Sequence, residues 1–128
     1  MKLLIDTHVF LWWDSRDGRL GPRTAGMIAD PDNETFVSAA SVWEIAIKAG
    51  LGKLEFSGSP TVAIGLNGFR ELDIRAADAE LAGALDWDHA DPFDRMLVAQ
   101  AERSSMTLVT ADRAVLGYGR APMMSATI

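Results

Sequence analysis

Four acidic residues stand where an α/β protein does its chemistry. Asp6 directly follows the apolar run Leu3-Leu4-Ile5, and Glu44 falls in the first turn after a strand at Thr35–Ser38. Asp94 lies in the first turn of a helix that opens at Asp91-Pro92, and Asp112 follows Leu108-Val109-Thr110. Ligands of a parallel sheet bind beyond the carboxyl ends of its strands, so all four acids can face one crevice. Carboxylates that converge with no lysine beside them in sequence repel one another, and the remedies are raised pKa values or a bound cation. Oxygen-only donors favour Mg²⁺ or Mn²⁺. Magnesium needs only one or two carboxylates and keeps its waters, so the set can hold one or two ions that orient a water and stabilise a phosphodiester transition state. That chemistry belongs to a metal-dependent nuclease.

Each acid also has a purely structural reading. Ser41-Val42-Trp43-Glu44 fits a capping box, in which Glu44 bonds the backbone amide of Ser41. Asp91 as N-cap, with Asp94 at the third helical position, needs no ligand, because both acids favour the positive end of the helix dipole. Asp91 is assigned mainly this role. Asp112 can cap the short helix after it, and only Asp6 lacks an easy structural explanation. Among accessory candidates, His89 lies in a loop near Asp91 and can serve as a proton carrier or touch substrate, although a structural role is favoured for it. His8, two helical positions after Asp6, should point away from it. Arg95 is the better phosphate ligand, unless Asp88 and Asp91 simply pair with it. Trp12, Trp13, Trp43 and Trp87 at helical spacing read as core or dimer interface before they read as base-stacking surfaces.

The elements that must carry these residues alternate between strand and helix. Lys2–Ile5 reads as a strand buried on both faces, followed by a helix at Thr7–Trp13. A shorter helix at Arg23–Ala29 enters through Pro22 and precedes the turn Asp30-Pro31-Asp32-Asn33. Thr35–Ser38 is a strand, Ser41–Ala49 a helix stopped by Gly50, and Leu51–Ser59 a loop. Pro60–Gly68 is a helix weakened by Gly65 and Gly68, Glu71–Ile74 a short strand and Ala76–Leu85 a helix. After the Asp91 helix, with Met96, Leu97 and Ala101 on one face, come a strand at Thr107–Thr110 and a helix at Arg113–Leu116. Ala121–Ile128 is only weakly strand-like. The alternation specifies α/β with a mainly parallel sheet.

The chain has 128 residues and neither repeats nor a linker, so positions 1–128 read as one domain with a core of its own. The absence of cysteine excludes thiol nucleophiles, zinc ribbons and iron–sulfur ligation. Only Leu3, Leu4 and Ile5 separate Lys2 from Asp6, too short a run for a signal peptide, and no apolar stretch would span a membrane; a cytoplasmic location is expected. A net charge of −6 argues against binding nucleic acid by coating its phosphates with cations, yet is compatible with reading phosphate through a metal.

Taken together, Leu3-Leu4-Ile5-Asp6-Thr7-His8, Ser38-Ala39-Ala40-Ser41-Val42-Trp43-Glu44-Ile45, Asp91-Pro92-Phe93-Asp94-Arg95 and Val109-Thr110-Ala111-Asp112, in this order, resemble a PIN domain of the VapC-type toxin kind. The likeness runs from Met1 to about Met124. It implies a three-layer α/β/α sandwich around a four- to five-stranded, mainly parallel sheet, and a Mg²⁺- or Mn²⁺-dependent endoribonuclease acting as the toxin of a type II toxin–antitoxin pair. The family's acidic quartet falls on Asp6, Glu44, Asp94 and Asp112, with Thr110 as a polar accessory. The resemblance further implies a homodimer and a cognate antitoxin whose tail covers the site, and a basic segment would suit the acidic crevice. Within the quartet, Asp6 and Asp94 are expected to hold the principal metal, and Glu44 and Asp112 a second ion or the waters around it.

Rival small α/β domains fit less well. A haloacid-dehalogenase-like phosphatase needs a second aspartate two positions after the first, where this chain has His8, and a response-regulator receiver needs a late lysine, whereas none follows Lys53. An idle binding module of the same fold and a DNA-directed nuclease remain as alternatives, since a metal site does not itself see the 2′-hydroxyl.

Overall fold

Leu3, Leu4 and Ile5 carry no polar side chain, so the segment is stable only where both of its faces are covered. The computed structural model, which describes residues 1–128, places it at the centre of the sheet. Strand β1 (Lys2–Ile5) pairs with β2 (Glu34–Ser38) on one side and β4 (Thr107–Thr110) on the other. Strands β3 (Arg70–Leu72) and β5 (Met123–Ser125) form the edges, and the order β3-β2-β1-β4-β5 is parallel throughout. The two-residue period of the strands sends Leu3, Ile5, Val37 and Val109 to one face, and Leu4, Phe36 and Leu108 to the other.

Helices α1 (Thr7–Asp14), α2 (Pro22–Ala29), α3 (Ala39–Gly50) and α4 (Pro60–Leu66) cover the first face with Phe10, Ile28, Ile45 and Ile64. Helices α5 (Ala76–Ala84), α6 (Pro92–Arg103) and α7 (Arg113–Tyr118) cover the second with Leu81, Leu97, Val98 and Val115. The result is the expected three-layer α/β/α sandwich. Each fully buried side chain of this size contributes about 1.5–3 kcal/mol, and the two layers clamp the sheet so that its carboxyl edge is a fixed platform.

Several boundaries differ from the sequence reading for local reasons. Helix α3 begins at Ala39 because Ser38, the last residue of β2, caps it by accepting from Ala40 N at 3.0 Å. In α4, Gly65 is tolerated because Ser59 caps Val62 N, Pro60 opens the first turn and Ile64 is buried. Gly68 lies outside the helix: its φ of +73° turns the chain towards β3 at a position where a side chain would be strained. The tail does form a strand, entered through Pro122, whose carbonyl accepts from Leu108 N at 2.8 Å while its missing N–H is not needed at an edge.

Candidate active site

The carboxyl edge gathers the acids in two neighbourhoods. Asp6 is the N-cap of α1, so it has the structural role the sequence did not suggest: Oδ1 accepts from Val9 N at 2.8 Å. Its other oxygen accepts from Thr110 Oγ1 at 2.5 Å, from the end of the adjacent strand β4. The same hydroxyl oxygen accepts from Asp112 N at 3.1 Å, so Thr110 ties the first acid to the last. Asp112 caps α7 with Oδ1 alone, accepting from Ala114 N and Val115 N at 2.8 and 3.2 Å, and its Oδ2 makes no hydrogen bond.

Glu44 departs from the expected capping box. With α3 starting at Ala39, it lies in the second turn rather than the first and faces α1. Thr7 Oγ1 donates to Glu44 Oε1 at 2.6 Å and also lies 2.9 Å from Ser41 Oγ, so Ser41 is a helix-interior residue and not the cap. Glu44 Oε2 accepts from Lys48 Nζ at 2.6 Å, which corrects the lysine-free picture of the quartet: one turn of helix brings a lysine onto the same face.

Asp94 occupies the third position of α6. Asp91 caps that helix, accepting from Phe93 N at 2.9 Å and Asp94 N at 3.3 Å, as its sequence position suggested. Asp94 Oδ2 lies 2.7 Å from His89 Nε2, and Oδ1 makes no hydrogen bond. Burial pushes the Asp94 carboxyl up to about 6 against the hydrogen bond from His89, and the charges of Asp91 and Asp112 add to the rise. Burial also raises Asp6, opposed by the Thr110 hydroxyl and the Val9 amide, with Glu44 pushing the same way as burial. Caps need no such burial. Asp6, under a tenth exposed, is an acid held where ionisation costs energy unless a cation joins it.

As the side chains stand, no three carboxylates or imidazoles are gathered closely enough to hold a metal ion. Magnesium takes one or two carboxylates and completes its octahedron with water; Asp94 Oδ1 and Asp112 Oδ2 are unclaimed oxygens, and the charge of Asp112 is among the causes that raise Asp94. A hard divalent cation therefore suits this donor set.

Arg95 has a different employment from the phosphate or acid partners expected of it. Its five N–H groups all donate to backbone carbonyls, those of Ala82, Gly83, Leu85, Trp87 and His89, at 2.7–3.4 Å. Ala82 and Gly83 are in the last turn of α5, whose carbonyls have no partner further along the helix, and Leu85, Trp87 and His89 lie in the irregular segment before α6; one guanidinium bonds all five. Trp12, Trp13 and Trp87 pack against the core, whereas Trp43 is 62% exposed and meets Phe93 edge-on at 5.5 Å. The residues that sequence reasoning missed are Thr7, Ser41 and Lys48. Only Lys48 left a signal, its four-residue spacing from Glu44. A groove of about 640 Å³ opens beside Thr7 and His8 and carries Lys48, Lys53, Leu54 and Phe56, with acids interspersed.

Residues 3–119 match the family model of the PIN domain. The chain is a PIN domain. Among solved structures, this PIN domain is similar to a chain of VapBC2 from Rickettsia felis bound to a promoter DNA fragment, at 15% identity and a TM-score of 0.71, covering 98% of each chain. It is also similar to a toxin–antitoxin complex from Klebsiella pneumoniae, at 19% identity, a TM-score of 0.64 and 95% coverage of each chain. A third neighbour is VapBC-1 from nontypeable Haemophilus influenzae, at 14% identity, a TM-score of 0.64 and full coverage of both chains. At these identities the likeness establishes the shared fold. No curated protein matches the sequence of this PIN domain. No helix of it is long and apolar enough to cross a membrane.

Proposed function

We propose that this PIN domain is a Mg²⁺- or Mn²⁺-dependent endoribonuclease and the toxin of a type II toxin–antitoxin pair, acting in the cytoplasm as a homodimer. The observation that carries the reading is a pair of buried carboxyls, Asp6 and Asp94, both raised by burial, with Glu44 adding to the rise of Asp6 and Asp112 to that of Asp94. The solved neighbour described as a toxin–antitoxin complex, beside the two described as VapBC, supports an antitoxin as partner. Asp6 and Asp94 would hold the principal cation, and Glu44 and Asp112 a second ion or the waters around it. A divalent cation held there supplies the positive charge that a phosphodiester needs in its transition state. The chain's own contributions are positional: Thr110 orients Asp6, His89 orients Asp94, and Thr7 with Lys48 orients Glu44.

The test is incubation of the purified protein with total RNA and matched single-stranded DNA, in Mn²⁺, Mg²⁺ or EDTA, beside its Asp6→Asn and Asp91→Asn variants. Discrete RNA cleavage is expected, dependent on metal, abolished by Asp6→Asn and little changed by Asp91→Asn, since Asn also caps well. The products should carry 3′-hydroxyl and 5′-phosphate ends; a 2′,3′-cyclic phosphate would refute the mechanism. Equal cutting of DNA would make the chain a DNA-directed nuclease. No cleavage by folded, metal-binding, antitoxin-free protein would make it a binding module.

A further inference from the structure

The segment joining α5 to α6 ends at the candidate site and carries two aromatic rings that neither capping nor charge explains. Trp87 stacks on His89 with centroids 4.3 Å apart and planes 15° from parallel, and on its opposite face stacks Tyr118 at 4.4 Å and 4°. Three rings thus form a pillar. One end is the last residue of α7, the helix that Asp112 caps; the other is the imidazole whose Nε2 lies 2.7 Å from Asp94 Oδ2. Arg95 fixes the main chain beneath it, donating to the carbonyls of both Trp87 and His89 at 2.7 and 3.1 Å.

An imidazole has two side-chain torsions, and hydrogen-bonding one carboxylate oxygen in its plane does not by itself lock both. A flat indole against its face removes the remaining freedom, and a second flat ring behind the indole keeps the indole in place. His89 held in this way engages only Oδ2 of Asp94, which fixes the carboxylate and leaves Oδ1 without a hydrogen bond. Groups that orient a ligating side chain from behind are needed for affinity much as the ligand itself is.

We propose that Trp87 and Tyr118 are positioning residues of the nuclease site, a stacked pillar that sets His89 on Asp94 and links Asp94 to the helix capped by Asp112. This rests on the metal-site reading above. Two measurements on the protein without substrate test it. Titration with Mn²⁺ alone, followed by electron paramagnetic resonance, should show Trp87→Leu binding about tenfold or more weakly than wild type. Trp87→Phe should recover part of that loss, because a phenyl ring still stacks, and Tyr118→Leu should shift affinity in the same direction as Trp87→Leu. In metal-free protein the ring protons of His89 should resonate upfield of those of His8, the other histidine of the chain, and move downfield in Trp87→Leu.

Wild-type Mn²⁺ affinity in folded Trp87→Leu and Tyr118→Leu, or an unmoved His89 signal, would overturn the proposal. If Trp87→Leu does not fold, Tyr118→Leu decides it from the far end of the stack. If wild-type protein takes up no Mn²⁺ while the His89 signal shifts as described, the metal reading falls and the positioning of His89 on Asp94 stands; the two failures are thereby distinct.

Discussion

Replacing Asp94 with Asn should stabilise the metal-free protein at neutral pH and remove its response to metal. Folding moves the Asp94 carboxyl from 3.8 to about 6, chiefly through burial. Below about pH 4 the group is protonated in folded and unfolded chains alike, and its contribution is intact. As pH rises the unfolded chain releases its proton first while the folded chain keeps it, so stability falls until about pH 6, above which the full cost of a buried charge is present. A displacement of this size corresponds to about 3 kcal/mol at full strength, and screening by the solvent that reaches this partly exposed side chain reduces it to about 1–2 kcal/mol. Asn carries no proton to lose. Urea unfolding in EDTA, followed by tryptophan fluorescence from pH 4 to 8, should therefore show the variant gaining about 1–2 kcal/mol on wild type across that range. Saturating Mn²⁺ should raise the wild-type midpoint, because a ligand of the native state stabilises it, and leave the variant unmoved. Wild type and variant curves that stay parallel from pH 4 to 8 would refute the burial of an ionised Asp94 on which this reasoning stands.

Other consequences are equally direct. Thr110→Val removes the hydroxyl that holds Asp6 down, so Asp6 should rise further and the acid limb of the pH–rate profile for RNA cleavage should move to higher pH. Arg95→Lys replaces five donors with three and cannot span the same carbonyls; amide hydrogen exchange should accelerate across residues 82–89, with a loss of about 2 kcal/mol in thermal or urea unfolding. Gly21→Ala would bring a Cβ to within 2.1–2.4 Å of the Ile128 backbone, where Gly21 N and Thr24 N dock the tail. A loss of about 1–3 kcal/mol should follow in the same assays, with cleavage unaffected once the chain is folded.

The sequence by itself determined the class of fold and the identity of the acids. Short apolar strands such as Leu3-Leu4-Ile5 admit no placement but the centre of a covered sheet, and strand–helix alternation then forces parallel pairing. Asp6, Asp94 and Asp112 stand at helix starts, because the strand ends and caps that place them are local properties; Glu44 lies a turn further into α3. What a side chain meets there is not local. Whether Glu44 closes a capping box or reaches Thr7 depended on Ser38, which belongs to a strand yet caps the following helix and so rotates the register of α3. Arg95 could have met phosphate, acid or carbonyl; only the packing of the last turn of α5 and the irregular segment before α6 presented five carbonyls to it. Likewise nothing in the sequence pairs Trp87 and His89 with Tyr118, which lies on α7. Stacking of that kind is a contact between elements, decided when the second helical layer packs on the sheet and brings α7 beside the entrance to α6.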